Sequence, residues 1–435
     1  MLFTKTSNIN NNELYIGEIS VKKLAKEFKT PLYIYDQNDI EDRVERYKKA
    51  FSSNRLKTKI AYASKALLTD YVAKLMKKLG LSIDAISIGD MYALIKAGFD
   101  MKNVYLHGNS KSFLELQYAI ENDIGIIVID NLQEVSKIKA LADRFDKTVN
   151  VMFRINPDIY ADTHKHLITA EKNSKFGIDK DNKELLTVIK EISNDNRLMF
   201  RGLHCHIGSQ VNNSETFLSE VKSMITLAKK IEDELRITVE ELNFGGGYAI
   251  KEKGSQEEPS NSELLEIIVK TVEKHVEELN LNLEQITIEP GRSLIGPSAI
   301  TVYKVEATKK TAGDLNYIMV DGGMADNIRP SLYDAYYEAV VVNNVIPLDC
   351  QKSAIAGKCC ESGDILIKEC LMPKVTDDDY IAIFSTGAYN YSMASNYNGL
   401  GKPAIVFVKN NEYRLTTKRQ EVEQIHQNDL QNKIM

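Results

Sequence analysis

Lys65 is the first residue in this chain whose setting could make it reactive. It lies in Tyr62-Ala63-Ser64-Lys65-Ala66-Leu67, after an apolar run (Lys59-Ile60-Ala61) that reads as a strand. The segment after it places Leu68, Tyr71, Val72, Leu75, Met76 and Leu79 at helical spacing until Gly80. A lysine ending a buried strand has its stem in apolar surroundings; desolvation there lowers its pKa and leaves free amine to attack a carbonyl. The competing reading is a surface lysine at a helix start.

Other residues of chemical interest recur at the ends of apolar runs. They are Asp84 and Ser87, His204-Cys205-His206-Ile207-Gly208-Ser209-Gln210, Gly245-Gly246-Gly247, and Glu289-Pro290-Gly291-Arg292. Three successive glycines expose backbone N–H groups without Cβ interference, which suits a phosphate, or they make a tight turn. His206 could lie flat on a planar ring with Ser209 donating to a phosphate; His204-x-His206 is also a zinc spacing. The other histidines weigh against metal: His107 is isolated, His164 and His166 fall in a polar loop, and His275 and His426 lie in helical or tail segments. Glu289 could hold a pyridine nitrogen protonated, or pair with Arg292. Asp84 could orient Lys65, or cap a helix from Gly89. Downstream, Cys359-Cys360-Glu361-Ser362-Gly363-Asp364 sets a thiol beside a carboxylate in a glycine-containing turn, a setting for proton transfer.

These groups need a scaffold that gathers strand ends. Apolar runs predict strands at Thr58 to Ala63, Leu81 to Ser87, Val104 to His107, Ile124 to Asp130, Val149 to Asn156, Phe200 to His206, Glu241 to Phe244 and Gln285 to Glu289. Helical patterns such as Phe113 to Asn122, Leu132 to Phe145 and Phe217 to Leu235 separate them. Eight strands alternating with helices predict a (β/α)8 barrel, with a doubly wound open sheet as the alternative. A barrel puts its site at the C-terminal strand ends and favours phosphate in the loops after the seventh and eighth strands. Residues 36–292 are assigned to the barrel and 293–435 to a mostly β domain with a polar tail. Residues 1–35 are assigned to strands joining that domain, since residues 13 to 35 alternate apolar and polar. Asn410-Asn411 turns the last hairpin.

With 435 residues a large core is no difficulty, and a net charge of −6 does not favour nucleic acid or an anionic membrane. Five cysteines without zinc-type spacing fit a reducing compartment. The N-terminus lacks a signal-peptide apolar region and no later run reaches membrane-span length, so a cytoplasmic protein is expected.

Taken in order, Tyr62-Ala63-Ser64-Lys65-Ala66, His206-Ile207-Gly208-Ser209-Gln210, Gly245-Gly246-Gly247, Glu289-Pro290-Gly291-Arg292, Cys360-Glu361-Ser362-Gly363-Asp364 and Gly387-Ala388-Tyr389 resemble the diaminopimelate decarboxylase family. The resemblance runs from about residue 15 to 415. It implies an alanine-racemase-like barrel and pyridoxal 5′-phosphate carried on Lys65, with His206 stacked on the ring and Glu289 on its nitrogen. It also implies that Gly245, Gly246, Gly247, Ser209 and the backbone of Pro290, Gly291 and Arg292 hold the phosphate, and that Asp84 belongs to the cofactor site. Arg292, Arg329, Tyr333 and Glu361 would bind substrate, and Tyr389 would touch both substrate and cofactor. Cys360 would donate a proton in the neighbouring subunit's site, so the expected form is a homodimer with shared sites.

The implied reaction is loss of CO2 from meso-2,6-diaminopimelate to give L-lysine. Arginine forks match carboxylates, so Arg329 separates a substrate with a distal carboxylate from ornithine or lysine. The competing readings are a sister decarboxylase of another basic amino acid or of carboxynorspermidine, a catalytically silent partner-binding homologue, and a metal hydrolase built on His204 and His206. One departure is Tyr336-Tyr337, where the family commonly has tyrosine then histidine. Ser174-Lys175-Phe176-Gly177 also matches a family motif, without a role evident from the sequence.

Overall fold

The computed structural model describes residues 3–159, 174–251 and 259–429; His164 and His166 lie outside them. The chain separates into two compact units, one of Val44–Ile250 with Pro259–Ser293, the other mainly Met1–Arg43 with Leu294–Met435.

The first unit is a closed barrel. Its strands are β1 (Lys57–Ala63), β2 (Ser82–Ala85), β3 (Val104–Leu106), β4 (Ile126–Ile129), β5 (Val149–Asn156), β6 (Leu198–His204), β7 (Glu241–Asn243) and β8 (Gln285–Ile288). Each pairs in parallel with the next, β8 returns to β1, and all eight expected strands are present. Parallel strands covered on both faces read as unbroken apolar runs, and Ile126–Ile129 is buried at every position. Ala61, Tyr105, Ile126, Val128 and Met152 form an apolar cluster in the barrel. At the N-terminal end of β7, Glu241 Oε1 accepts from the Tyr105 hydroxyl at 2.8 Å and the Thr287 hydroxyl at 2.6 Å. The enclosing helices start at side-chain caps: Thr69 for Asp70–Lys78, Ser87 for Ile88–Lys96, and a reciprocal Ser112/Glu115 box for Phe113–Glu121. The cap of the second is therefore Ser87, which excludes the capping role considered for Asp84.

The second unit is built on a nine-stranded mixed sheet. Its strands are Leu32–Asp36, β9 (Ala299–Lys310), β10 (Asn316–Val320), β11 (Ala339–Val341), β12 (Gln351–Ala356), β13 (Ile365–Met372), β14 (Tyr380–Phe384), β15 (Ala404–Lys409) and β16 (Glu412–Thr417). Leu32–Asp36 sits between β9, antiparallel to it, and β15, parallel to it, so this N-terminal strand joins the sheet as expected, whereas Ser7–Asn10, Glu13–Ile16 and Ile19–Ser20 pair with one another in a separate three-stranded sheet. The apolar runs predict strands at residues 299–305, 317–320, 364–368, 380–384, 404–408 and 413–416, so β11 and β12 are the two that escaped the sequence reading. So did the helix Val21–Phe28, in a stretch read as alternating strand. Ser20 caps that helix by accepting from the Lys23 N–H, and Val21, Leu24 and Ala25 are its buried face. No helix among the described residues is long and apolar enough to cross a membrane.

Candidate active site

The C-terminal ends of six barrel strands meet through direct contacts. Asp84, ending β2, accepts from the Ser64 N–H at 2.8 Å and so pins the turn that carries Lys65. That turn is one 3₁₀ turn, Ser64–Ala66, with Ser64 and Ala66 buried and Lys65 exposed between them. The expected apolar burial of the lysine stem is not found: β1 ends at Ala63, and the chain leaves the wall before reaching Lys65. The Lys65 charge still lies close enough to oppose the upward shift of the Asp84 pKa. Ala63 N–H donates to Pro290 O at 3.2 Å, and a Cβ on Gly291 would fall 2.8 Å from Ala63 Cβ, so only glycine lets these turns touch.

The triple glycine follows β7 and is wedged between its neighbours. A Cβ on Gly245 would lie 2.4 Å from Cys205 O, one on Gly246 2.4 Å from Glu289 O, and one on Gly247 2.7 Å from Gly208 O. Gly246 N–H donates to His206 Nδ1 at 3.1 Å, and Val211 N–H donates to Gly247 O at 2.9 Å. The loop carrying the half-buried Ser209 is thereby tied to the glycines. His206 accepts through Nδ1, consistent with a pKa held well below the usual value by burial and by the Lys65 and Arg154 charges. Arg292 follows at the start of the short helix Arg292–Ile295.

Glu289 is the most elaborately held group. Its Oε1 accepts from His107 Nε2 at 2.9 Å and Asn243 Nδ2 at 2.7 Å, and its Oε2 from His204 Nε2 at 3.1 Å. Burial pushes this carboxyl up, but His107 and His204 outweigh it and hold Glu289 well below the usual carboxylate range. Asp84 goes the other way, pushed up to about 6 by burial and then by Glu289. Burial brings His204 down to about 4, so it faces Glu289 as a neutral donor. No ion pair joins Glu289 to Arg292 among the described contacts. The three potential ligand atoms of His107, His204 and Glu289 lie within 4.8 Å of one another; this group joins His204 to His107, which the sequence reading took as isolated, rather than to His206.

His107 and Asn243 went unrecognised in the sequence, although they follow β3 and end β7 as Lys65 follows β1. Strand-end position was the available signal. Lys111, after β3, is also buried: its Nζ pairs with Glu134 at 2.8 Å and donates to Gly108 O and Val128 O, fixing the turn after His107. The Ser174-Lys175-Phe176-Gly177 motif acquires a structural role. Phe176 presents its ring to the Arg154 guanidinium at 4.5 Å, and Ile178–Asp179 pairs in parallel with Ile155 and Asn156 of β5.

In the β unit, Arg329 opens the short helix Arg329–Tyr333; its guanidinium lies over the Tyr333 ring at 5.0 Å and the Tyr389 ring at 5.6 Å. Tyr389 adopts a left-handed φ of 60°, uncommon for a non-glycine residue and characteristic of functional turns. Cys360 and Glu361 are exposed on a turn organised by buried Asp364. The Asp364 carboxylate accepts from Met324 N–H at 2.7 Å and Cys359 N–H at 2.8 Å, and Ser331 Oγ donates to Gly363 O at 2.6 Å. The thiol turn is thus laced to the segment leading into Arg329. Tyr337, the departing position, is buried in the core with its hydroxyl 3.4 Å from the Asn390 amide.

The chain matches the model of the family "Pyridoxal-dependent decarboxylase, pyridoxal binding domain" over residues 37–296. It is 39% identical to the diaminopimelate decarboxylase of Bacillus methanolicus, over 96% of this chain and 97% of that one. The Staphylococcus aureus enzyme of the same name is 40% identical over 96% and 98%. A structure of diaminopimelate decarboxylase from M. jannaschii, solved with L-lysine, superposes with a TM-score of 0.93 at 30% identity, covering 99% of both chains. Strand ends gathered around Lys65, a glycine cradle and an anionic Glu289, together with relatives alike along their whole length, establish that this chain belongs to the diaminopimelate decarboxylase family of pyridoxal-dependent decarboxylases.

Proposed function

We propose that this protein is a pyridoxal-phosphate-dependent carboxy-lyase that converts meso-2,6-diaminopimelate to L-lysine and CO2. The barrel's own chemistry fits that cofactor. The wedged glycines leave a side-chain-free cradle suited to a phosphate, and Glu289 is an ionised carboxylate suited to a protonated ring nitrogen. When bound, pyridoxal phosphate supplies an electron sink for the pair left at the α-carbon as CO2 departs. Lys65 tethers it, Asp84 holds the tethering turn through Ser64, and His206, oriented by Gly246, covers the ring. Ser209, Gly245, Gly246, Gly247, Pro290, Gly291 and Arg292 retain the phosphate end.

The observation that carries the substrate is Arg329. Its guanidinium, buried and flanked by Tyr333 and Tyr389, is a preformed fork for a carboxylate, which ornithine and lysine lack at the distal end. Glu361 takes the distal ammonium and Arg292 contributes to the same recognition. A panel of meso-diaminopimelate, ornithine, lysine and carboxynorspermidine tests this on cofactor-loaded protein. CO2 release from the first alone is the expected result; comparable release from ornithine would overturn it, and silence on every amine would favour the non-catalytic reading.

The Cys360 thiol supplies the proton that replaces CO2, acting in the site of a second subunit, so the working form is a homodimer. All five cysteines are free, in keeping with action in the cytoplasm. Cys360→Ala is expected to retain cofactor while slowing turnover roughly 10²- to 10⁴-fold, the range for loss of a proton-transfer group. Mixing Cys360→Ala with Lys65→Ala subunits should then restore part of the activity. Unchanged turnover in Cys360→Ala would remove the thiol from the reaction, and no restoration would remove it from the shared site.

A further inference from the structure

The Glu289 carboxylate receives three side-chain donors, and their arrangement is asymmetric. A carboxylate offers about four lone-pair positions. Among the described residues, His107 and Asn243 take two on Oε1, and His204 takes one on Oε2. The donors stand at the ends of three different strands, and all are almost fully buried. The His107 and His204 rings meet edge to face at 4.7 Å, so each limits the other's rotation. Both must carry their proton on Nε2 to donate; His204 Nδ1 is correspondingly buried without a partner.

We propose that His107, His204 and Asn243 are positioning residues. They keep Glu289 an anion of low basicity and leave one acceptor position, on Oε2, for the protonated ring nitrogen of the cofactor. This rests on reading Glu289 as that nitrogen's partner. A shared proton resides on the more basic atom, so a carboxylate already receiving three donors leaves it on the ring, where it is needed to draw electrons from the substrate. Asp84 is the internal comparison. It is equally buried and close to Glu289, yet among the described residues it accepts one hydrogen bond, from the Ser64 N–H, and burial drives its pKa up. Stripped of its donors, Glu289 would follow the same course and take the proton from the ring. Among the described residues, the other charged and titratable groups that interact with this cluster include Asp84 from β2, Tyr105 from β3, Arg154 from β5, Cys205 and His206 after β6, and Tyr248 after the glycines.

The test uses holoprotein loaded with pyridoxal phosphate carrying ¹⁵N at the ring nitrogen, read by NMR at about pH 8, where Asp84 is ionised throughout. The wild-type resonance is expected at the protonated position. His107→Phe and His204→Phe, which fill the space without a donor, are expected to shift it toward the unprotonated position. His204→Gln, which keeps an N–H at the Nε2 reach, is expected to restore it. Should the phenylalanine variants not fold, Asn243→Ala decides the matter by removing one donor without added volume; a partial shift is expected. Resonances unmoved in these variants while Glu289→Gln shifts would overturn the proposal, because the donors would then serve packing alone. A Glu289→Gln resonance that itself stays at the wild-type position would instead refute the reading of Glu289.

Discussion

Lys65→Ala protein is expected to fold normally, to form no covalent link to added pyridoxal phosphate, and to lose turnover by roughly 10³- to 10⁴-fold or more. The fold should survive because the side chain is exposed: the 3₁₀ turn is held by buried Ser64 and Ala66, by the Asp84 carboxylate and by the Ala63–Pro290 hydrogen bond, none of which uses the lysine. Under the function proposed above, chemistry should not survive, because Lys65 is the tethering amine, and its charge reaches Asp84 and His206. Lys65→Arg sharpens the experiment, since it keeps a cation while removing the nucleophilic amine. Borohydride reduction followed by mass measurement reads the link directly. A cofactor mass on either variant after reduction would show that another amine is the attachment point.

The exposure of Lys65 also shows where sequence reading reached its limit. That a lysine follows β1 was legible from the apolar run before it. That the chain turns out of the barrel wall at Ser64 was not, because the cause is a carboxylate twenty residues downstream. The eight strands were legible for a simpler reason: parallel strands covered on both faces are predominantly apolar, so a run such as Ile126–Ile129 announces itself. In the second unit that rule weakens. Residues 351 and 352 of β12 are exposed, which breaks its apolar run, while β11 spans three residues. Val21–Phe28 was misread because alternation over a few residues competes with helical spacing, and the decisive Ser20 cap resembles any surface serine. His107 illustrates the same limit at the site. A solitary histidine has no spacing to read, and its meaning comes from Glu289, 182 residues away. Motifs revealed the groups whose residue types carry chemistry on their own; the groups that tune them are single residues whose partners only folding supplies.

One buried acid behind the site yields the largest expected effect on stability. Glu220, on the helix Ser214–Leu235, is fully buried. Its Oε1 accepts from the Cys205 thiol at 2.8 Å, while its Oε2 has no partner among the described residues, and neither does the neighbouring Tyr248 hydroxyl. Burial pushes its pKa from 4.5 up to about 8, against which the single thiol hydrogen bond does little. The folded state therefore keeps a proton that the unfolded chain releases near 4.5, binds more protons across that interval, and loses stability as pH rises through it. Each pH unit inside the window costs about 1.4 kcal/mol for one proton. Glu220→Gln, neutral at every pH, removes this dependence. Relative to wild type its unfolding free energy should gain about 2 to 3 kcal/mol between about pH 5.5 and 7.5. An amide left without an acceptor at the Oε2 position offsets part of the absolute gain by about 1 to 3 kcal/mol at every pH, so the slope, rather than the value at one pH, is the measurement. Urea unfolding at several pH values provides it. Parallel wild-type and Glu220→Gln profiles would mean that Glu220 is already ionised in the folded protein, with a counter-charge beyond Cys205 stabilising it.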